Sequence, residues 1–466
     1  MKINKILILV ASLLLVSACT TKKDIQTDTE TDTKDTSEVI DYKDERDFTY
    51  VNKLDLPSST VHNTSELKSI IDYHAFYKDV ESFDVEIASD YTYSAPTHKA
   101  YNEGCYLYWN TELVNGVMGI AINEKNTTTW TVSFEFYQNA TINAKPTTTM
   151  VKDLAYVEPT SNRSADYNNF ATEDQNKKAI DVSTTQQLWY AAEHGYRINA
   201  IKDSPAEKYY NQAKDLLRSI IKDDMTDYQK VGTIYNYIEH HASYCFEALD
   251  APESEDVTNY PDRVCAKYKA FFIEGFFDNK TVVCDGYSKV YTLLGRMEGL
   301  NIVRGAGSKD DRCITKEVAG HAYCYVELDG KYYLSCPTWG QQRVSLNRFV
   351  VTSSYFLAPR AVMDKEYPCT YWLELDYASV ENCKPAFANR SFKIEDNTYP
   401  TYITSEVDTK PIINGLAKLL AGNIEYAVEF YFETKEIKNA FLQECGSKYY
   451  LNVLNDGEYT GVIYNY

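Results

Sequence analysis

The sequence predicts an α+β protein, because segments of helical and of strand periodicity alternate along its 466 residues. Apolar residues recur at helical spacing over residues 206–221 and 227–240, which predicts two amphipathic helices. Residues 320–328 alternate as a strand, and the Asp329-Gly330 pair that follows predicts a tight turn into a second strand. The composition, 44% hydrophobic and 24% charged, is that of an ordinary folded chain.

Residues 1–18 have the pattern of a secretory signal peptide. Two lysines precede an apolar run over residues 6–16 that is short for a membrane span, and small residues then precede Cys19. The sequence Val16-Ser17-Ala18-Cys19 resembles the lipobox of bacterial lipoproteins, in which the cysteine is lipidated and becomes the mature N-terminus. The alternative is an ordinary signal peptide that happens to be followed by cysteine. The resemblance implies an extracytoplasmic protein that is lipid-anchored to a bacterial membrane through Cys19.

The next two segments differ sharply in composition. Residues 19–47 are rich in Thr, Asp, Glu and Lys and poor in aliphatic residues, so we expect a disordered tether. Residues 48–180 predict an N-terminal α+β domain. Its helix begins at a capping-box spacing, Asn63 to Glu66, and its strands lie at 117–122 and 130–136.

The last segment, residues 366–466, predicts a small C-terminal α+β domain. Its pattern changes period several times between helix and strand. The expected helices lie at 412–420 and 435–445, and the expected strands at 427–432, 449–453 and 460–464. We find no motif there that indicates chemistry.

A cysteine motif at residues 281–288 is the first candidate for chemistry. Cys284 is followed by Asp285 and Gly286 and then by an apolar helical face, so we expect it at a helix N-terminus. Unpaired N–H groups and the helix dipole favour negative charge there, which raises the thiolate content of a cysteine. Gly286 allows another backbone segment to approach closely. Taken alone, Cys284 also fits a buried structural thiol.

The predicted β-hairpin supplies two further candidates, His321 and Cys336. A two-residue turn at Asp329-Gly330 fixes the register of the strands and places Tyr323 opposite Cys336. His321 and Cys336 then lie on the same face of the sheet as diagonal neighbours, with Cα atoms roughly 7–8 Å apart.

Three blocks, in this order, resemble the transglutaminase-like superfamily of papain-like acyl-transfer domains with a Cys-His-Asp triad. The resemblance spans about residues 182–360 and includes the segment that ends at Tyr244. It implies a papain-like transglutaminase core over 181–365, in which a helix-borne cysteine packs on an antiparallel sheet. It also implies Cys284 as nucleophile and His321 as base. The blocks are Val283-Cys284-Asp285-Gly286-Tyr287, Gly320-His321-Ala322-Tyr323 and Tyr332-Tyr333-Leu334-Ser335-Cys336-Pro337-Thr338-Trp339.

The chain departs from this family at the third triad position, where the aspartate of the family falls on Cys336. That carboxylate holds the imidazole tautomer and stabilises the imidazolium, and its loss in a serine-protease triad costs about 10⁴ in kcat. The cost is smaller where a Cys-His pair already exists as thiolate and imidazolium. Asp310, Asp311 and Glu327 are the carboxylates that we consider as substitutes. Whether the chain is an enzyme therefore stays open.

Two functions follow from these residues. The first is cysteine-dependent acyl transfer on peptide amides through a thioester at Cys284, as a peptidase or amidase with water and as a transamidase with an amine. The second is a catalytically impaired transglutaminase-like module that binds protein or glycan at the cell surface. A lesser alternative combines Cys284, His321 and Cys336 as a zinc site, or the two thiols as a disulfide. We predict no cofactor and no metal.

Net charge limits the partners. The chain has 47 basic and 67 acidic residues and a formal net charge of −20, which argues against nucleic acid because phosphate binding needs a basic face. It also argues against electrostatic docking on anionic lipid. We therefore expect a protein or peptide substrate at the cell surface, and membrane contact through the lipid on Cys19. The oligomeric state is left open.

Overall fold

The computed structural model shows an α+β protein, as predicted, with its strands in several separate sheets. Cys19 and the predicted signal peptide and tether lie outside the described residues, as do Asp310 and Asp311. The described residues are 48–93, 100, 107, 117–136, 179–246, 248, 269–309, 320–345, 348–351, 355–364, 366–367, 369–370, 375–378, 391–394, 397–420, 427–447, 452–454 and 460–464.

The N-terminal region forms one four-stranded sheet and a helix. Its elements are β1 (Thr60–Asn63), α1 (Thr64–Tyr77), β2 (Ser82–Thr92), β3 (Val117–Glu124) and β4 (Thr129–Phe136). The strand order is β1-β2-β4-β3. The Asn63 side chain accepts the backbone N–H of Glu66 at 2.9 Å, and Glu66 accepts the N–H of His62 at 2.8 Å. These bonds fix the predicted start of α1.

Residues 179–246 form three helices and two short strand pairings. The elements are β5 (Ala179–Val182), α2 (Thr185–Glu193), β6 (Arg197–Ala200), α3 (Pro205–Ile220), α4 (Asp227–His241) and β7 (Ser243–Tyr244). The helices begin after Thr184, Ser204 and Thr226, whose hydroxyl groups each accept a first-turn N–H. The two predicted amphipathic helices are α3 and α4, and the predicted boundaries agree to within one residue.

A five-stranded antiparallel sheet lies beneath the helix that begins at Cys284. One turn of 3₁₀-helix (Lys269–Phe271) and one of π-helix (Gly275–Asn279) precede it. The elements are β8 (Thr281–Val282), α5 (Cys284–Met297), β9 (Ile302–Ser308), β10 (Gly320–Leu328), β11 (Lys331–Ser335), β12 (Gln341–Ser345), β13 (Arg348–Val351), β14 (Phe356–Ala358), α6 (Ala361–Asp364) and β15 (Cys369–Thr370). The strand order is β14-β11-β10-β9-β15.

Helix α5 is held in place from several directions. It packs against β9, β10, α2 and α4, and the parallel pairing of β7 with β8 ties the end of α4 to its start. Tyr287 and Tyr291 on α5 are buried. Burying one such aromatic side chain removes about 150–250 Å² from water, which stabilises the fold by at most about 4–6 kcal/mol.

The β10–β11 hairpin has the predicted register. Leu328 pairs with Lys331 across a turn in which both Asp329 and Gly330 have positive φ. The ladder ends at the pair of Cys324 with Ser335, one pair earlier than we predicted. Beyond it the N–H of Cys336 donates to the carbonyl oxygen of Tyr355 at 2.6 Å, so β11 turns away from β10 there.

The C-terminal region has a sheet and a buried cluster of its own. Its elements are β16 (Ser391–Ile394), β17 (Asn397–Pro400), β18 (Tyr402–Ile403), α7 (Thr409–Leu420), β19 (Ala427–Phe432), α8 (Lys435–Gly446), β20 (Asn452–Leu454) and β21 (Thr460–Tyr464). The strand order is β18-β19-β21-β20, and Phe430, Phe432 and Phe441 pack in the cluster. From α7 onward the order of elements is the one that the sequence predicts, whereas β16, β17 and β18 were not predicted.

The domain boundaries stay predictions. The central sheet takes its edge strand β15 from beyond residue 365, and Tyr332 forms a bridge with Tyr377. Within the described part of the chain, none of the helices combines the length and the apolar character that crossing a membrane requires.

Candidate active site

Cys284 is the first residue of α5 and a free, partly exposed thiol. Val283 occupies the N-cap and its side chain makes no capping hydrogen bond, so the N-cap residue itself satisfies none of the first-turn N–H groups of α5. Gly286 permits the close approach that the sequence predicts, because a Cβ there would lie 2.3 Å from the carbonyl oxygen of Ala270. The local sequence therefore leaves the N-terminus of α5 open around the thiol.

The sulfur of Cys284 lies against strand β10. Burial raises the pKa of the Cys284 thiol and the charge of Asp285 adds to the rise, whereas the N–H of Ala322 and the charge of Arg304 oppose it. Ala322 directly follows His321. The thiol therefore lies against the residue that follows His321 on β10.

Asp285 forms an ion network beneath the thiol. Arg304 donates to Asp285 Oδ1 from Nε at 2.8 Å and from Nη2 at 2.7 Å, and Lys289 Nζ donates to Oδ2 at 2.8 Å. Burial by itself raises the pKa of the Asp285 carboxyl, but the two cations hold it below its usual range. The backbone N–H of Arg304 donates to Glu193 at 2.6 Å. The network therefore joins α5 to β9 and α2.

His321 packs against two aromatic rings that also contact each other, and it is only 6% exposed. Its ring stacks on Trp339 at 4.4 Å between centroids and on Tyr367 at 5.3 Å. Burial and the charge of Arg304 lower the pKa of His321 to about 3. The imidazole is therefore neutral at pH 7.

Cys336 contacts His321 directly. The distance between His321 Nε2 and Cys336 Sγ is 3.1 Å, so the two side chains share a face, as predicted. Burial raises the pKa of the Cys336 thiol, and the N–H groups of Thr338 and Trp339, which point at the sulfur, oppose the rise. The turn that follows β11 thus presents two donors to the position where the family has a carboxylate.

This contact decides whether His321 can act as a base. A carboxylate can only accept, so it forces Nε2 to carry the proton and leaves the lone pair of Nδ1 free. A neutral thiol both donates and accepts. If the S–H of Cys336 donates to Nε2, the ring proton moves to Nδ1 and His321 cannot take a proton there.

Tyr244 is a site residue to which sequence reasoning gave no role. Its hydroxyl forms hydrogen bonds with both the backbone N–H and the thiol of Cys284, and burial raises its pKa. The pairing of β7 with β8 brings it there. The only sequence signal for Tyr244 was its place at the end of the segment that resembles the family.

Of the carboxylates considered as substitutes for the aspartate, Glu327 alone belongs to the described residues, and it lies far from His321. Asp310 and Asp311 lie outside the described residues. Glu327 is six residues from His321 on β10, about 20 Å away at the rise of a strand, and it pairs with Asn301. The structure instead places Glu239 of α4 near Cys336, because its charge raises the pKa of that thiol.

Sequence reasoning missed Glu239, although a signal was present. The residue follows Tyr235 by four positions and therefore continues the apolar stripe of α4. A carboxyl group on a stripe that faces the core is unusual unless it has partners. The same reasoning gave no signal for Arg304 or Tyr367, whose neighbours depend on packing between distant segments.

The two lesser alternatives for these residues find no support in the structure. Among the described residues, His, Cys, Asp and Glu side chains form no group of three or more that could hold a metal ion, so Cys284, His321 and Cys336 do not make a zinc set. Cys284 and Cys336 are both free thiols, so they do not form the disulfide considered above.

Comparison with known proteins does not assign the chain to a family. No family model and no curated protein matches the chain. A solved structure described as "Crystal structure of a TGase" aligns at 13% sequence identity with a TM-score of 0.21, covering 63% of this chain and 54% of that chain. The chain thus spans about half the length of that protein. At this identity and TM-score the match assigns neither a fold nor a function, so function has to be argued from the site.

Proposed function

We propose that this protein is a transglutaminase-like, cysteine-dependent acyltransferase that acts on peptide amides through a thioester at Cys284. One observation carries the proposal. The thiol of Cys284 lies at a helix N-terminus against the N–H of Ala322, the residue that follows the histidine in contact with Cys336. A thiol, an imidazole and a third group in this order are the arrangement that activates a cysteine nucleophile.

The reaction proceeds in two halves. His321 takes the proton of the Cys284 thiol, and the sulfur attacks the amide carbonyl carbon. The C–N bond then breaks, and the leaving amine receives the proton from His321, which leaves a thioester. A water molecule or an amine gives a proton to His321 and attacks the thioester, and the proton returns to the sulfur as the C–S bond breaks.

The oxyanion of each tetrahedral intermediate needs donors. The backbone N–H of Cys284 and the hydroxyl of Tyr244 adjoin the thiol on the same side. An oxyanion placed between them would accept both hydrogen bonds, at the positive end of the α5 dipole. Removing one such donor typically costs about 10²–10³ in kcat.

The setting that we propose for this chemistry is the cell surface. Cys19 would hold the protein to a bacterial membrane through lipid, and the tether would let the folded part reach protein or peptide substrates. Radiolabelled-lipid incorporation into the full chain and into a Cys19→Ala variant tests this part separately.

The test of the acyltransferase is labelling of Cys284. A thiol-directed acyl or alkyl probe at neutral pH should modify the wild-type protein at Cys284, as mapped by peptide mass spectrometry, and should not modify a Cys284→Ala variant. A Cys445→Ala variant, which removes a buried thiol in the C-terminal region, should label like wild type. Equal labelling of wild type and Cys284→Ala would contradict a reactive thiol.

A second function, binding of peptide or glycan without catalysis, is favoured by the state of His321. An imidazole with a pKa of about 3, in contact with a thiol, is a weak base. Restoring the carboxylate with Cys336→Asp separates the two functions. A gain in turnover of a peptide amide favours an attenuated enzyme, and no gain with any substrate favours binding.

A further inference from the structure

We propose that Lys269 is a positioning residue for the acyl-transfer reaction, because its side chain fixes the 3₁₀ turn (Lys269–Phe271) against which α5 begins. This inference rests on the proposed function of the site. It assigns a role to a buried cluster of charges that the proposed mechanism does not use. The cluster joins Lys269 to the π-helix and to α3 through Asp278, Lys208 and Tyr209.

The 3₁₀ turn contacts the start of α5 through two carbonyl oxygens. The carbonyl oxygen of Ala270 accepts the N–H of Val283 at 2.9 Å, and Val283 is the N-cap residue directly before Cys284. The carbonyl oxygen of Phe271 accepts a hydrogen bond from Lys289 Nζ at 3.2 Å, and this ammonium group also belongs to the ion network beneath the thiol. A displacement of the turn therefore displaces the first turn of α5 and the nucleophile with it.

Two glycines let the 3₁₀ turn pack closely on both of its sides. A Cβ at Gly286 of α5 would lie 2.3 Å from the carbonyl oxygen of Ala270. A Cβ at Gly275 of the π-helix would lie 2.5 Å from the carbonyl oxygen of Lys269 and 2.9 Å from the Cα atom of Ala270. The turn is thus enclosed between the π-helix and α5. Because close-packed interiors transmit strain, a shift on one side of the turn reaches the other side.

Asp278 connects the 3₁₀ turn to helix α3. Lys269 Nζ donates to Asp278 Oδ2 at 2.8 Å, and the Tyr209 hydroxyl donates to the same oxygen at 2.7 Å. Lys208 Nζ donates to Oδ1 at 3.3 Å. The three charged side chains are at most 10% exposed, so salt in the solvent screens these pairs little. Burial raises the pKa of the Asp278 carboxyl, but the charges of both lysines hold it below its usual range.

The two lysines of the cluster differ in what they attach to Asp278. Lys208 and Tyr209 both belong to α3, so Asp278 stays bonded to α3 through Tyr209 when the charge of Lys208 is removed. Lys269 belongs to the 3₁₀ turn, so removal of its charge takes away the ion pair that joins the turn to Asp278. Each substitution removes one buried cation from the same carboxylate, and only one of them releases the turn.

The experiment compares Lys269→Met with the matched control Lys208→Met in the full chain. Lys269→Met should lower kcat on a peptide amide by about 10- to 100-fold, since a misplacement of about 1 Å at the reacting groups can cost about 10²-fold. KM should change less than about twofold, because only the reacting sulfur moves. Lys208→Met should lower kcat less than about threefold, because the turn keeps its ion pair. Equal losses of kcat in the two variants would overturn the inference.

The conservative variant Lys269→Arg separates positioning from the mere presence of a lysine. Its guanidinium keeps the charge and the N–H donors that Asp278 accepts, so kcat should stay within about threefold of wild type. A loss of kcat as large as in Lys269→Met would overturn the inference.

A readout without turnover keeps this inference separate from the proposed function. Amide hydrogen exchange of Val283, followed by NMR, should be at least about tenfold faster in Lys269→Met than in wild type, because the N–H opens from Ala270. The amides of β10 should change less, since only a general loss of stability affects both. An unchanged rate at Val283 would overturn the inference. Absence of turnover in the wild type, with the stated change at Val283, would contradict the proposed function and leave the hold of Lys269 on the turn supported.

A second pair of variants covers the case in which Lys269→Met does not fold. Lys269→Gln and Lys208→Gln remove the same two charges and keep an N–H donor for Asp278. Val283 should exchange at least about threefold faster in Lys269→Gln than in Lys208→Gln. Equal exchange rates at Val283 in these two variants would overturn the inference.

Discussion

The two halves of the candidate site, around Cys284 and around His321, differ in how they stabilise charge. In the nucleophile half, Cys284 adjoins the Asp285 carboxylate, which two cations satisfy. In the histidine half, His321 stacks against two aromatic rings and contacts a neutral thiol. The first half contains the ions and N–H dipoles that a developing sulfur anion needs. The second half lacks a direct counter-ion for an imidazolium.

This difference indicates that the basicity of His321, and not the setting of the thiol, limits the reactivity of the site. Both a thiolate and an imidazolium must be stabilised for a Cys-His pair to be charged. Burial and Arg304 together hold the pKa of His321 at about 3, so the proton stays on the thiol in the resting state. If the protein is an enzyme, its rate is set by the histidine half.

The largest effect is expected from a substitution that gives the histidine half the counter-ion it lacks. Cys336→Asp should raise kcat/KM on a peptide amide by about 10² to 10⁴, since a triad carboxylate is worth up to about 10⁴. The N–H groups of Thr338 and Trp339 already point at this side chain and would donate hydrogen bonds to the new carboxylate. Proton NMR should show the pKa of His321 rising from about 3.

The control for this change is Cys336→Asn, which has the shape of aspartate without its charge. It should leave the pKa of His321 low and give a smaller gain in turnover. An unchanged pKa of His321 in Cys336→Asp would contradict the electrostatic reading of the histidine half.

The next largest effect is expected from removal of a cation in the nucleophile half. Arg304→Met leaves the Asp285 carboxylate without its bidentate partner and should lower the free energy of unfolding by about 3–5 kcal/mol, as measured by urea denaturation. Arg360→Met removes a cation from a more exposed pair with Asp364 and should cost less than about 1 kcal/mol. Similar losses of stability in the two variants would show that the buried network around Asp285 stabilises the fold no more than an exposed ion pair does.

A third change sharpens the role of the nucleophile half in catalysis. Tyr244→Phe should lower kcat by about 10²–10³ if its hydroxyl stabilises the oxyanion, with little change in alkylation of Cys284. Tyr228→Phe is the control, because that hydroxyl bonds to exposed Asp329. A loss in kcat no larger than in the control would exclude Tyr244 as a donor.

The last effect is gradual, because the stability changes by only a small step from one pH unit to the next. The pKa of His321 is about 3 when folded and about 6.5 when unfolded, so the unfolded chain binds more protons between these values. The contribution of His321 to the free energy of unfolding is fully present above pH 6.5. It decreases as the pH is lowered, by at most about 1.4 kcal/mol per pH unit, down to about pH 3. His321→Phe keeps the ring stacking, and its urea midpoint should depend less on pH between pH 6.5 and pH 3 than the midpoint of the wild type does. A control His240→Phe at an exposed position should keep the wild-type slope.

Local patterns in the sequence determined more of the fold than of the site. Asn63, Thr184 and Asp329-Gly330 act through neighbours only a few residues away, so their caps and turn were predictable. The shared face of His321 and Cys336 was predictable for the same reason, because a two-residue turn fixes strand parity. The ladder ended one pair early because its continuation would need an N–H from Pro337, which has none.

The sequence by itself determined the α+β class, the start of α5 at Cys284 and the order of the three motif blocks. Only the tertiary structure decided what surrounds them: Arg304 on Asp285, Trp339 and Tyr367 on His321, and Glu239 behind Cys336. Periodicity and capping depend on short stretches of chain. The pKa of a buried group depends on charges and rings that packing brings from distant segments, and no local pattern specifies these.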